Sequence, residues 1–114
     1  MAKFVNLYEN QIPSSAATLG SLSTLTANKG HIIIGLIIAN TSETEAVTVD
    51  VWIKDTVPDP DELIYLCKNT TLGPGGADEL IEGKVVIDAD TQSLWAEGTP
   101  TNLANAFVSV LENA

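Results

Sequence analysis

The side chains able to do chemistry in this 114-residue chain are few and widely spaced. The single histidine, His31, opens an apolar run, and the single cysteine, Cys67, follows Tyr65 and Leu66 in another. Nucleophilic catalysis would need Cys67 or a serine activated by His31, with a third group to orient the base. No nucleophile motif accompanies either residue. His31 therefore reads as a polar strand-start residue after the turn Asn28-Lys29-Gly30, and Cys67 as a small hydrophobe. No catalytic residue is assigned, and the chain is expected not to be an enzyme.

Carboxylates offer a second kind of chemistry. Asp55, Asp59, Asp61 and Glu62 fall in one loop, and Asp88 and Asp90 flank another turn; Ca²⁺ takes six to eight oxygens from such loops. The EF-hand spacing is missing, and Pro58 and Pro60 stiffen the first cluster, so both read as solvated acidic loops. The Gly73-Pro74-Gly75-Gly76 turn lacks the Lys-Ser/Thr and helix of a phosphate loop. We expect no metal and no cofactor. A glycosidase would need two carboxylates facing a sugar cleft, usually with aromatic platforms, and Trp52 and Trp95 are the only large ones.

Composition narrows the partners. Fifteen acidic side chains against five lysines and no arginine give a formal charge of −10. Nucleic acid is excluded as a partner because phosphate contacts need clustered Lys and Arg, and anionic membranes repel such a chain. Yet 45% of the residues are hydrophobic and mean hydropathy is +0.18, which excludes a disordered acidic tail. A chain of this length supports one domain. One cysteine makes no internal disulfide, so the core alone must hold the fold. The opening MAKFVNLYENQ has no apolar signal core, and the longest apolar run, Ile32 to Ala39, is far short of the ~20 residues of a spanning helix. These features predict synthesis in a cytoplasm and a soluble product.

The elements that must position any site read as strands. AVTVDVWIK (46–54) alternates, with Val47, Val49, Val51 and Ile53 on one side and Thr48, Asp50, Trp52 and Lys54 on the other. HIIIGLIIAN (31–40) reads as a central strand with Ile32, Ile34, Leu36 and Ile38 on one face and Ile33, Gly35, Ile37 and Ala39 on the other. The polar cluster NTSETE between them predicts a hairpin. Further strand segments are 62–68, 77–82, 84–88, 92–97 and 105–111, with weaker ones at 3–9 and 17–25, separated by Pro, Gly and Asx turns. Pro60 to Leu66 is the one stretch that could begin as a helix. The whole predicts a single all-β domain over 1–114, an antiparallel β-sandwich or jelly roll of seven or eight short strands, with residues 1–11 and 105–114 as possible extended arms.

A central strand that is apolar on both faces needs a second cover, from this chain or from another. Ile33 and Ile37 are therefore candidate interface residues. Trp52, on the outward side of its strand, is a third: either a sugar or partner contact, or cover for the other sheet.

Several segments together carry a family likeness. Tyr65, Leu66, Lys68 and Asn69 lead into a Pro74-Gly75 turn; Leu80, Gly83 and Lys84 to Ile87 form a short strand; Asp90, Leu94, Trp95 and Ala96 follow, and Val108 to Glu112 close the chain. This order, with HIIIGLIIANTSETEAVTVDVWI before it, resembles the small virion proteins of tailed bacteriophages across Lys29 to Glu112. Ala89 stands where those proteins have Gly. The resemblance implies a non-enzymatic structural component of the particle, in capsid decoration, neck or tail. It would be made in the bacterial cytoplasm, located in the virion, and assembled with copies of itself and with other virion proteins. The alternative is a carbohydrate-binding β-sandwich module using Trp52 and Trp95.

Overall fold

Alternating burial writes two sheets into this chain. The computed structural model describes residues 3–9, 11–18, 30–57, 60–81, 85–88 and 91–112. Among these residues there are nine strands and no helix: β1 (Lys3–Glu9), β2 (Ala17–Thr18), β3 (Gly30–Asn40), β4 (Val47–Asp55), β5 (Glu62–Leu72), β6 (Ala77–Ile81), β7 (Val85–Asp88), β8 (Gln92–Thr99) and β9 (Ala104–Glu112). The segment weighed as a helix start belongs instead to β5, whose β-branched and aromatic residues pair along β4.

One sheet runs β1-β9-β3-β6, with β7 continuing the line of β6 along the same edge of β3; the other runs β2-β8-β4-β5. Every pairing is antiparallel. The partners are nested: β1 with β9, β2 with β8, β3 with β6 and β7, β4 with β5. This is the wrapped-hairpin arrangement of a jelly roll, and it confirms the all-β expectation. One expected pairing is corrected. β3 and β4 are not a hairpin, because residues 41–46 carry the chain from one sheet to the other, and the consecutive hairpin is β4–β5. The segments 1–11 and 105–114, expected as arms, supply β1 and β9, which pair with each other from Lys3–Glu112 to Glu9–Ala106.

The core lies between the sheets. Ile33, Leu36, Ile38, Val108 and Val110 from the first sheet meet Val47, Val49, Val51 and Leu94 from the second, all fully buried. Each such aliphatic side chain contributes about 1.5–3 kcal/mol over exposure. Ile12, in the crossing from β1 to β2, plugs one end: its N–H donates to the Ala104 carbonyl at 2.8 Å, and its own carbonyl accepts from Asn102 N–H at 2.9 Å.

Asn40 ties another end together. Its buried amide nitrogen donates to the carbonyls of Glu45 (2.7 Å), Leu72 (3.1 Å) and Gly73 (3.1 Å), and its Oδ1 accepts from Ser42 N–H at 2.9 Å. Two amide hydrogens serving three carbonyls means one is shared. The end of β3, the crossing to β4 and the β5–β6 turn are thereby held by one side chain, which gives partners to backbone carbonyls at the strand ends.

Candidate functional site

Among the described residues, those singled out in the sequence form no constellation of reactive groups. His31 is fully buried at the start of β3, opposite Ile87 of β7. Cys67 packs at the edge of the core with its Sγ 3.6 Å from the Val49 carbonyl oxygen, and burial pushes its thiol pKa up. Asp55 accepts from Gln92 Nε2 (3.1 Å) and from Val57 N–H (3.0 Å), while Asp61 pairs with Lys54 at 3.5 Å. Asp59 and Asp90 lie outside the described residues. Among the described residues, no three His, Cys, Asp or Glu side chains are grouped to hold a metal ion.

What the structure does build is two contrasting outer faces. On the β2-β8-β4-β5 sheet, the register lines up Thr18, Trp95, Trp52 and Tyr65 in one row across four strands. Trp52 does point outward, as its alternation requires, yet it is only 6% exposed. This corrects its reading as an open contact residue: Trp95 and Tyr65 flank it on the neighbouring strands, with the Tyr65 ring at 5.6 Å. Lys54 Nζ sits 5.0 Å from the Trp95 ring centroid and Lys68 Nζ 4.8 Å from that of Tyr65. Trp95 also donates to Ser93 Oγ at 2.7 Å.

β5 fits this row only because it is bulged. Between Val49–Thr70 and Trp52–Tyr65 it carries two more residues than β4. Asn69 there has φ of 54°, a left-handed conformation that asparagine tolerates better than most side chains, and its N–H is held by Asp50 Oδ1.

The outer face of the β1-β9-β3-β6/β7 sheet carries two largely apolar rows with a small polar row between them. One row across it is Tyr8, Phe107, Ile37 and Glu79; the next is Asn6, Ser109 and Gly35; the third is Leu111, Ile32 and Val86. Ile37 and Phe107 are each 45% exposed, and Val86 67%. Ile37 thus stands where the sequence placed it, on an open face. Ile33 does not: it is 0% exposed, inside the core. The reason is a β-bulge. Ile33 pairs with Val110 and Gly35 with the adjacent Ser109, leaving Ile34 as an extra residue that reverses the alternation of the strand.

Tyr8, Phe107, Ile34 and Val86 were not singled out individually in the sequence. The signal for Phe107 was present, since Ala106, Val108 and Val110 face inward and Phe107 between them must face out. Tyr8 and Phe107 fall within the two terminal segments first considered as contact arms.

No protein-family model matches this chain, and no curated protein sequence does. Solved structures match its shape. The jelly roll is shared with a histone-binding core, a virus particle and a glycan-binding domain. The Drosophila NLP core, described for pentamer formation and histone binding, superposes with a TM-score of 0.54 at 10% identity, over 100% of this chain and 98% of that one. The T13 particle of infectious bursal disease virus gives 0.53 at 12% identity, over 98% of this chain and 31% of the viral one. The CBM22-1 xylan-binding domain of Paenibacillus barcinonensis Xyn10C gives 0.50 at 9% identity, over 96% and 73%. At these identities the likeness is one of fold. The chain spans about a third of the viral protein's length.

Proposed function

We propose that this chain is a non-enzymatic structural protein of a tailed-bacteriophage virion, a decoration, neck or tail component. It is made in the host cytoplasm and assembles with copies of itself and with other virion proteins. The observation that carries the proposal is the apolar outer face of the β1-β9-β3-β6/β7 sheet, where Tyr8, Phe107 and Ile37 form an unbroken exposed row. Contiguous apolar surface of this kind is stabilised by burial against a neighbour. The sequence resemblance supplies the kind of particle, and the fold shared with a pentameric core and a virus particle supports use of this scaffold in repeating assemblies.

Adding purified protein to particles assembled without it tests the proposal. Wild type should incorporate at a fixed copy number, whereas Phe107→Lys, which charges the face without touching the core, should incorporate poorly. Failure of wild type to bind any particle component would overturn the reading.

A carbohydrate-binding module is the second reading, favoured by the Trp95-Trp52-Tyr65 row and the fold shared with a xylan-binding domain. The row is poorly disposed to stack a sugar, because Trp52 is covered and each flanking ring carries an ammonium group near one face. Glycan-array binding lost on Tyr65→Ala would establish it over the virion reading.

A further inference from the structure

Gly35 closes the bulge at Ile34 and leaves a gap in the outer face of β3. It interrupts a run of five isoleucines and a leucine between Ile32 and Ile38, where a glycine weakens the strand. Its backbone is not in the left-handed region, and a Cβ added there would meet nothing within 4 Å. Neither conformation nor packing inside this chain requires the missing side chain. A strand glycine marks a bulge or a close approach from outside, and the bulge beside Gly35 leaves room on this face for the second as well.

We infer that this face packs against the same face of a second copy about a two-fold axis, ridge into trough, with Gly35 at the closest approach. The inference rests on the reading of the chain as an assembly protein and names the partner of that face. The rows alternate in size along the strands. The Ala39, Asn105 and Ala77 row is small, the Tyr8, Phe107 and Ile37 row large, the Asn6, Ser109 and Gly35 row small, and the Leu111, Ile32 and Val86 row large.

Successive rows are about 6.7 Å apart. An axis parallel to the rows and midway between those of Ile37 and Gly35 exchanges large rows for small ones, with the bulged Ile34 standing between rows. Ile37 of one copy then lies over Gly35 of the other, Phe107 over Ser109 and Tyr8 over Asn6. The Ile32 ridge meets the row of Ala39. A face matched to itself in this way makes a closed, isologous pair.

Charge favours the same occupant. Among the described side chains in these four rows the one charge is Glu79, at the rim. Asp50, Asp55, Glu62 and Glu97 belong to the other sheet, and Asp78 and Asp88 lie on the β6/β7 edge of this one, outside the four rows. Two copies of a −10 chain can therefore meet over these rows with few carboxylates between them, whereas a basic partner would be drawn elsewhere. Four strands by four rows make a face of roughly 500 Å², so a pair buries roughly 1,000 Å², the lower end for a specific interface.

Sedimentation equilibrium of the full chain, from about 1 μM to about 1 mM, tests this against the range expected of a small interface. Wild type should show a monomer–dimer equilibrium. Gly35→Leu, which fills the trough, should raise the dissociation constant roughly ten- to a hundredfold, with circular dichroism and urea midpoint near wild type. Phe107→Lys, on an exposed side chain, should do the same and covers failure of the glycine variant to fold. A wild type monomeric throughout, a ring of three or more, or variants that dimerise as wild type would each overturn the inference. Particle incorporation separates it from the broader reading: a monomer that still incorporates removes the dimer alone, and a dimer that never incorporates removes the virion role alone.

Discussion

Ile33 and Ile37 lie four residues apart on β3 and point to opposite sides of their sheet, Ile33 into the core and Ile37 into the apolar outer face. The extra residue Ile34 between them makes the difference. Truncation should separate them energetically. Ile33→Ala leaves a cavity among Leu36, Val108 and Val110 and should cost about 2–5 kcal/mol, while Ile37→Ala should stay within about 1 kcal/mol for the isolated chain. Urea unfolding of both variants measures this, and equal losses would contradict the bulge.

Asn40 should be intolerant of every close substitute. Asn40→Ala strands carbonyls of Glu45, Leu72 and Gly73, and Asn40→Asp replaces the donating amide with an acceptor that faces them. Each variant should lose at least about 2 kcal/mol, read as a lower thermal midpoint, with aspartate no better than alanine at neutral pH.

Trp52 and Trp95 should differ as fluorophores and as mutational targets. Trp52, covered between rings, should emit to the blue and resist quenching by iodide, while Trp95 should be quenched more readily. Trp52→Ala should destabilise the domain by about 3–5 kcal/mol. Its effect on any binding assay would therefore report unfolding, and Tyr65→Ala is the cleaner probe of that face.

Cys67 should react slowly. Its thiol pKa is raised chiefly by burial, so less thiolate is present at neutral pH than for a cysteine in an unfolded chain. A group whose folded pKa is raised holds its proton more tightly in the native state. Its contribution to stability is complete below the ordinary thiol pKa and is lost as pH rises through the folded value. Alkylation at pH 8 should lag behind that of the urea-unfolded chain, and Cys67→Ala should flatten the decline in stability at alkaline pH.

Much of this architecture was legible because alternation is a local property. The reading of β4 held residue by residue, since no bulge offsets its own side chains and Val47, Val49, Val51 and Ile53 all face the core. Simple alternation gives β3 the wrong phase only before Gly35, because a bulge is set by pairing with β9, which its own residues do not announce. The supposed β3–β4 hairpin failed for a similar reason: a polar cluster marks a change of direction and does not say whether the strand returns to the same sheet. Trp52 was rightly placed outward, but its cover comes from Trp95 and Tyr65, distant in sequence and aligned only by register.

The nested order of pairing has a consequence for how the chain finds its shape. β1 and β9 stand about a hundred residues apart, so joining them first would carry a large loop-closure cost. Once the β4–β5 hairpin has formed, β3 can meet β6 by closing only the crossings at 41–46 and 73–76, and each outer pair inherits ends already brought near. Contacts that look remote along the sequence thus become short steps, and the molecule can zip outward from its middle to its two edges.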